Sequence, residues 1–430
     1  MAQKTTMNTI AACEHSCKIC SMRCHRQQQA PVPAQQAMEI LFQNTVMNVK
    51  PEIVPLRQAL NRVTAEATYA RLNVPCADTS KHDGIAVQWG NTFQCMAQGR
   101  HVLEQNEFSV QGMSSVIPAG LDTVVPDELI EYTVDGRVRI LTLPCQGEGI
   151  ARAGSSIQWG EEIVPANRRL TPSQLSVLRL AGIEEVAVWK RPRAAIIPIG
   201  KELCLPGTKI LEPGQTIEAD SILIETIIAE CGGEAWTTPI VADDTELICE
   251  AIRGVLDSCD FLVLIGGVGR GGLRYGDYSH NAVDSLGRVL VHGVDFRPGG
   301  KPTLFGEIDK KCVVGIPGPP HAALTQAEQH LPAIMEHFLG CPCYERPEIY
   351  AKLDADFQNK KDDHYHPHIG LKWDGSEYEI FPIRRGDTVD CFVRAAGILM
   401  AEEDEHFYQK GDKVRVRLTS GERTVRMQSP

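Results

Sequence analysis

From residue 192 to residue 340, short apolar runs alternate with longer stretches of helical period. AAIIPIG, FLVLIGG and KCVVGIPGPP are continuous apolar strands ending in Gly or Pro. SILIETIIAECGG and TELICEAIRGVLDSC read as helices, the first with a glycine stop. Strands alternating with helices in this way predict βαβ units and a mainly parallel sheet. Upstream, Ala37, Ile40, Leu41, Val46 and Met47 fall on one helix face, and a second helix is expected over Leu56 to Ala70. Ile85 to Val87 reads as a short strand. Residues 91–151 are rich in Val, Thr, Ile and Gly without a long helical period, which predicts a small β insertion. Helix returns over Thr171 to Ala181, with Thr171 as N-cap ahead of Pro172. From 346 to 430, KVRVRL and EYEIFPI alternate polar and apolar positions, as a small β-barrel or sandwich does. Residues 1–30 are polar, rich in Cys and Gln, and are expected to lie outside the fold.

The 430 residues hold about three domains. A net charge of -12 argues against a general nucleic-acid binder, yet leaves room for a small anion held by local cations. No run approaches the roughly 18 apolar residues of a membrane span, and the start of the chain has no apolar secretory core. A cytoplasmic location is the default expectation. The 15 cysteines, most of them scattered, fit a reducing compartment. Cys231, Cys249, Cys259 and Cys312 read as small core residues.

Parallel sheets bind ligands beyond the carboxyl ends of their strands. Three strands here end in unusual loops: Gly200-Lys201-Glu202, the Gly266–Gly272 run, and Pro317-Gly318-Pro319-Pro320. Glycines allow close approach and expose N–H groups to anionic oxygens, although a single such turn is equally well a tight connection. Arg297, Lys301 and Arg270 stand near Gly or Pro turns and suit a phosphate or pterin oxygen, against the alternative of solvated loop charges. Asp83, Glu202, Glu218, Asp220, Asp243, Asp244 and Asp277 are the carboxylates available to a divalent cation. In the tail, Cys13, Cys17, Cys20 and Cys24 have a spacing that suits Zn2+ or an iron–sulfur cluster, the alternative being a disordered tail with exposed thiols. His364, His366 and His368 alternate and read as a surface stripe rather than a metal site.

Taken together, these segments resemble the MoeA/gephyrin E-domain family over about residues 34 to 425. PLRQALNRVTAE looks like the family's entry helix, and SKHDGIAV resembles S-x-M-D-G-Y-A. IPAGLDTVVPDE is similar to P-x-G-A-D-x-V-V-x-x-E. IGKEL stands for T-G-D-E-L, PGQTIEADS for G-Q-I-Y-D-S-N, and LIGGVGRGGLRYGD for G-G-V-S-x-G-x-x-D. RPGGKP and GIPGPPHAA stand for P-G-K-P and L-P-G-N-P-V-S.

The resemblance implies a multidomain α/β plus β fold. Residues 31–90 and 152–191 would form a helical linker and dimer domain, and 91–151 an inserted β domain. Residues 192–340 would form a three-layer molybdopterin-binding α/β domain, and 346–430 a C-terminal β-barrel. It implies a homodimer in which the partner's DGIA loop closes the cleft. The implied reaction joins molybdate to adenylylated molybdopterin with loss of AMP, helped by Mg2+. Carried over residue by residue, Asp83, Glu202 and Glu218 are the catalytic candidates. Gly266, Gly267, Gly269, Arg270, Gly271, Arg297, Lys301, Pro317 and Gly318 are the ligand-binding candidates, and Glu218 and Asp277 the Mg2+ candidates.

Several positions depart from the family pattern. Lys201 replaces the Asp of T-G-D-E and Ile199 its Thr; Glu218 and Asp220 replace the Asp and Asn of Y-D-S-N. Gly269 replaces a Ser, Arg274 aligns with the closing Asp three residues before Asp277, and Pro319 replaces an Asn. Exchanging carboxylates for cations weakens Mg2+ binding and strengthens anion binding. The readings are therefore a molybdopterin molybdenumtransferase, a carrier of molybdopterin or finished cofactor without catalysis, or a sensor or adaptor using the Cys tail.

Overall fold

Buried strands and helices alternate from Arg193 to Leu339: β1 Arg193–Pro198, α1 Asp220–Glu230, β2 Glu234–Thr237, α2 Thr245–Leu256, β3 Phe261–Ile265, α3 Tyr278–Leu286, β4 Arg288–His292, β5 Leu304–Ile308, β6 Lys311–Ile316 and α4 Pro320–Leu339. The computed structural model describes residues 30–268, 277–343, 346–358, 365–373, 376–383, 389–400 and 407–418. The strands form a 6-stranded sheet in the order β2-β1-β3-β6-β5-β4. The first four are parallel, and β5 and β4 add antiparallel strands at one edge.

Every residue of β3 is buried, as a strand covered on both faces must be. Leu262 and Leu264 share a core cluster with Ile248, Ile252, Ala282 and Val283 of α2 and α3. Side chains alternate across a strand, so Phe261 faces the other way, where its ring lies 5.6 Å from Phe338 of α4. A Cβ on Gly233 would meet both Met335 of α4 and Ile228 of α1, which puts those two helices on the same face. Two layers of helix thus enclose the sheet. α2 is capped by Asp244, whose carboxylate accepts from the Glu246 and Leu247 N–H groups at 2.9 and 3.1 Å. Past α1, Gly232 takes φ +93 and donates to Ala229, the glycine stop expected there.

The chain separates into two units, Met1–Asn48 with Pro192–Phe338 and Pro342–Pro430, and Val49–Arg191 with Leu339–Cys341. The first expected helix forms at Ala34–Asn44 and belongs to the first unit, with Ala37 and Leu41 fully buried and Phe42 stacked on His337 at 4.1 Å. The same unit carries a closed barrel of β7 Glu348–Leu353, β8 His368–Trp373, β9 Tyr378–Pro382, β10 Gly397–Leu399 and β11 Lys413–Leu418. Its apolar positions point inward and include Ile369, Ile380 and Val416, each 0% exposed.

The second unit is built mainly from short strands. Phe108–Gln111, Gly84–Val87 and Thr123–Pro126 form one 3-stranded sheet, and Val102–Leu103, Val138–Ile140 and Ile130–Tyr132 another. The helix expected over Leu56 to Ala70 does not form: a single 3-10 turn, Leu56–Gln58, is followed by turns, isolated bridges at Val63 and Thr64 and the short strand Thr68–Tyr69. Asn61 sits at φ 61, and Thr64, Ala65 and Ala70 donate to Arg168, Ala187 and Glu161. Partners distant in sequence therefore satisfy this backbone, and local helix propensity is overridden. A helix absent from the sequence reading, Trp89–Ala97, begins where Gln88 accepts from Asn91 N–H at 2.6 Å. Thr171 caps Pro172–Leu180 as expected, in a reciprocal pairing with Gln174.

His366 and His368 are buried, 8% and 3% exposed, rather than part of a surface stripe; His364 lies outside the described residues. His366 Nδ1 is 3.3 Å from the Leu399 carbonyl, and its ring is 4.6 Å from Phe296. Burial, and then the neighbouring His321, holds the His368 imidazole down to about 4. Cys231, Cys249, Cys259 and Cys312 are core residues.

Truncating Phe261, which is fully buried, to Ala should cost about 3–5 kcal/mol. Ile210→Ala, at a site 85% exposed, should stay within about 0.5 kcal/mol of the parent. Urea unfolding of the two variants checks this.

Candidate functional site

Pro198, Ile265 and Ile316 lie side by side in register at the carboxyl ends of β1, β3 and β6. β1 leads on through α1 to β2 on one side of it, while β3 lies on its other side, so this edge is the sheet's switch point. The backbone closes up there. Ile199 N–H donates to Ile265 O at 2.8 Å, and Gly266 N–H to Ile316 O at 2.9 Å. Gly266 and Gly267 take φ +81 and +60. A Cβ at Gly266 would stand 2.3 Å from Ile199 O, and one at Gly267 2.6 Å from Ser279 Oγ. Both positions require glycine for space as well as for backbone angle. Ser279, in the first turn of α3, ties the loop down: its N–H donates to Gly267 O and its hydroxyl to Gly266 O, both at 3.0 Å.

β6 leads into Pro317 and Gly318, and a Cβ at Gly318 would stand 3.7 Å from Gly266 Cα. Pro319 O accepts from Ala322 and Ala323 at 2.9 Å as α4 begins. The N-terminus of this long helix thus opens at the same edge, where its dipole favours an anion. Leu304 pairs with Gly315, so residues 296–303 enter β5 at this edge too. That loop carries Arg297, half-buried, and Lys301, exposed. Gly300 is fixed by close approach, because a Cβ there would lie 2.2 Å from both Phe296 O and Val294 O.

The acidic candidates separate into different roles. Glu202 is exposed, and its carbonyl accepts from Thr216 N–H at 3.0 Å, while Glu218 N–H donates to Cys204 O at 3.0 Å. The short parallel pairing of Leu203–Cys204 with Thr216–Ile217 thereby carries Glu202 and Glu218 at its two ends. Glu218 is 7% exposed and accepts from Ser221 N–H at 2.8 Å and from its hydroxyl. Asp220, also 7% exposed, opens α1 beside it. Burial, and then the Glu218 carboxylate, push the Asp220 carboxyl up to about 7.

Asp277 caps α3 by accepting from His280 N–H at 3.1 Å, and its other oxygen lies 3.1 Å from His292 Nε2. Asp83 belongs to the second unit, just before the strand Gly84–Val87; it is exposed and accepts from Met113 N–H at 2.7 Å. Gly269, Arg270, Gly271, Cys13, Cys17, Cys20 and Cys24 lie outside the described residues. Among the described residues, no group of three or more His, Cys, Asp or Glu is placed to hold a metal ion.

Gly266, Gly267, Pro317, Gly318, Arg297 and Lys301 are thus brought to one sheet edge, with Glu202, Glu218 and Asp277 on the loops and helix starts that follow its strands. His292 and Gln326 were not singled out from the sequence. Neither stands in a motif, and each becomes visible only when its strand or helix is placed against the edge.

Residues 32–182 match the family described as the MoeA N-terminal region, domains I and II, and residues 195–337 match one described as a probable molybdopterin binding domain. The chain belongs to the MoeA family. Similar proteins include the molybdopterin molybdenumtransferase of Haemophilus influenzae, 24% identical over 74% of this chain and 80% of that one. A putative molybdopterin biosynthesis protein of Methanocaldococcus jannaschii is 26% identical over 90% of this chain and 98% of its own. Among solved structures, a molybdopterin biosynthesis MoeA protein of Pyrococcus horikoshii superposes with a TM-score of 0.79 at 27% identity, covering 91% of this chain and all of the other. The glycine-lined edge lies within the part that matches the family's molybdopterin binding domain.

Asp220 makes a pH-dependent contribution of definite sign in this MoeA-family chain. Its carboxyl rises from 3.8 to about 7 on folding, so the folded state holds the proton more tightly. Its contribution to stability is complete below about pH 4 and is lost as pH rises through about 7. Asp220→Asn should therefore gain on the parent between about pH 5 and about pH 8, read as the shift in urea midpoint at each pH. An equal shift at both would place the titrating carboxyl elsewhere.

Proposed function

We propose that this chain joins molybdate to adenylylated molybdopterin with release of AMP, in molybdenum cofactor biosynthesis. One observation carries the reading: glycine turns, a helix N-terminus and two loop cations share the edge of the domain that matches the molybdopterin-binding family. The named transferase relatives support the same activity.

In this reading Lys301 and Arg297 neutralise phosphate oxygens. The turn at Gly266–Gly267 and the start of α4 offer room and positive potential beside them. A cation on a Gly- and Pro-braced loop loses little freedom when it engages its ligand. Glu218 and Asp220 fit Mg2+ better than Asp277 does, because they stand together as two interacting carboxylates, whereas Asp277 faces His280 N–H and His292. Two carboxylates and substrate phosphate are a donor set that Mg2+ accepts. Bound there, Mg2+ would neutralise charge on the phosphates; Asp220 would first give up its proton. Glu202 stands at the other end of the same short strand pair and serves as a further carboxylate at the reacting group. Asp83 is assigned to the chemical step. The reading includes a homodimer and a cytoplasmic setting.

Lys301→Ala should remove a charge-assisted contact of about 1.5–3 kcal/mol, weakening molybdopterin binding about ten- to hundred-fold. Calorimetry measures it, and unchanged affinity would place the ligand in another crevice. Asp83→Asn should slow molybdate-dependent AMP release while leaving molybdopterin affinity within about twofold. If the parent binds adenylylated molybdopterin but releases no AMP with molybdate, the protein is a carrier.

A further inference from the structure

A buried amide joins the contacts that hold the loop presenting Arg297 and Lys301; from outside the loop, His366 N–H also donates to Arg297 O at 3.0 Å. Gln326, in the second turn of α4, is fully buried. Its Nε2 donates to Phe296 O at 2.9 Å and to Pro298 O at 2.6 Å. Its Oε1 lies 3.1 Å from His330 Nε2, and the Thr303 hydroxyl sits between that oxygen, at 3.1 Å, and Gly299 O, at 3.0 Å. Burial holds the His330 imidazole down to about 3, so the ring is neutral near pH 7. An amide oxygen only accepts, which leaves the ring proton on His330 Nε2. The two loop carbonyls require the NH2 end of the amide, which turns its oxygen toward the imidazole and gives the side chain one orientation.

The loop also lies directly on the helix. A Cβ on Gly299 would come 2.9 Å from Ala322 Cβ and 3.0 Å from Gln326 Cγ. Phe296 and Pro298 flank Arg297, and Thr303 follows Lys301 by two positions, so the contacts bracket both cations.

We infer that Gln326 is a positioning residue that fixes where Arg297 and Lys301 present their charges to a phosphate-bearing pterin; this rests on the proposed function of that edge. Gln326 does not touch the ligand. It acts by satisfying two loop carbonyls that would otherwise be buried without donors, or turn toward water and carry the loop with them. A purely structural residue would lower stability and leave the energetics of Lys301 as they were. A positioning residue must couple to Lys301, because once that charge is gone only the placement of Arg297 still matters.

The test measures molybdopterin affinity of the full-length chain by calorimetry for the parent, Gln326→Leu, Lys301→Ala and the double variant, at a temperature where all are folded. Gln326→Leu should weaken binding about five- to fifty-fold, and the double variant should lose at least about threefold less than the product of the two single losses, the remaining loss coming from Arg297. In turnover, KM should rise while kcat at saturation stays within about twofold. Thr303→Val, which removes only a hydroxyl, should show a smaller weakening of the same sign and the same coupling, and it carries the test if Gln326→Leu does not fold. Parent-like affinity in Gln326→Leu, or in Thr303→Val where it stands in, with Lys301→Ala weakened, overturns the positioning role alone. Fully multiplicative losses do the same. No effect of Lys301→Ala overturns both this role and the assignment of the ligand to this edge.

Discussion

Ile199, Ile265, Gly266 and Ile316 bind one another through backbone hydrogen bonds of 2.8 and 2.9 Å just past the ends of β1 and β3. A side chain at Gly266 would collide with Ile199 O, so the contact exists because that position has no Cβ. Much else follows from this closure. It lets α3 start within hydrogen-bonding distance of the loop, through Ser279. It brings Gly318 up against Gly266 as α4 begins. α4 then supplies, one turn further on, the amide that holds the 296–303 loop. The core behind the edge is fully buried at Leu262, Leu264 and Val313, which gives these loops a rigid base.

Charge is arranged locally against the overall balance. The chain carries a net charge of -12, and an anionic pterin would be repelled by it at long range, though screening limits the effect beyond about 8 Å at physiological salt. At the edge itself, Arg297, Lys301 and the start of α4 supply positive potential. Asp220 supplies something subtler. With its carboxyl raised to about 7 by burial and by the neighbouring Glu218, Asp220 is only about half ionised near neutrality. It therefore repels an arriving phosphate less, and takes full charge once a cation arrives to displace the proton.

The sequence shows the edge because its physics is local: FLVLIGG and GIPGPP state a buried strand, its end and the special backbone of the turn in consecutive residues. Helix α1 and its glycine stop, the cap at Thr171 and the alternation in KVRVRL are legible for the same reason. Misreadings arise where distant partners decide. Residues 59–70 have a helical spacing of apolar side chains, yet the N–H groups of Asn61, Thr64, Ala65 and Ala70 go to residues 161–187. His366 and His368 alternate like a surface stripe, and burial against Phe296 and the Leu399 carbonyl reverses that reading. Asp277 looks like a free carboxylate until α3 is placed, when it proves to be a helix cap facing His292. Gln326 and His330, four residues apart on a long helix, give no sign in the sequence of the loop they hold.

The most direct test is a crystal structure of the protein with molybdopterin bound. The phosphate is predicted within about 3 Å, ordinary hydrogen-bond distance, of Lys301 Nζ or of backbone N–H groups at Gly267 or Gly318, beyond the ends of β3 and β6. A phosphate bound at the opposite edge of the sheet, at the amino ends of β1 and β3, or against the sheets of residues 84–140, would contradict the account.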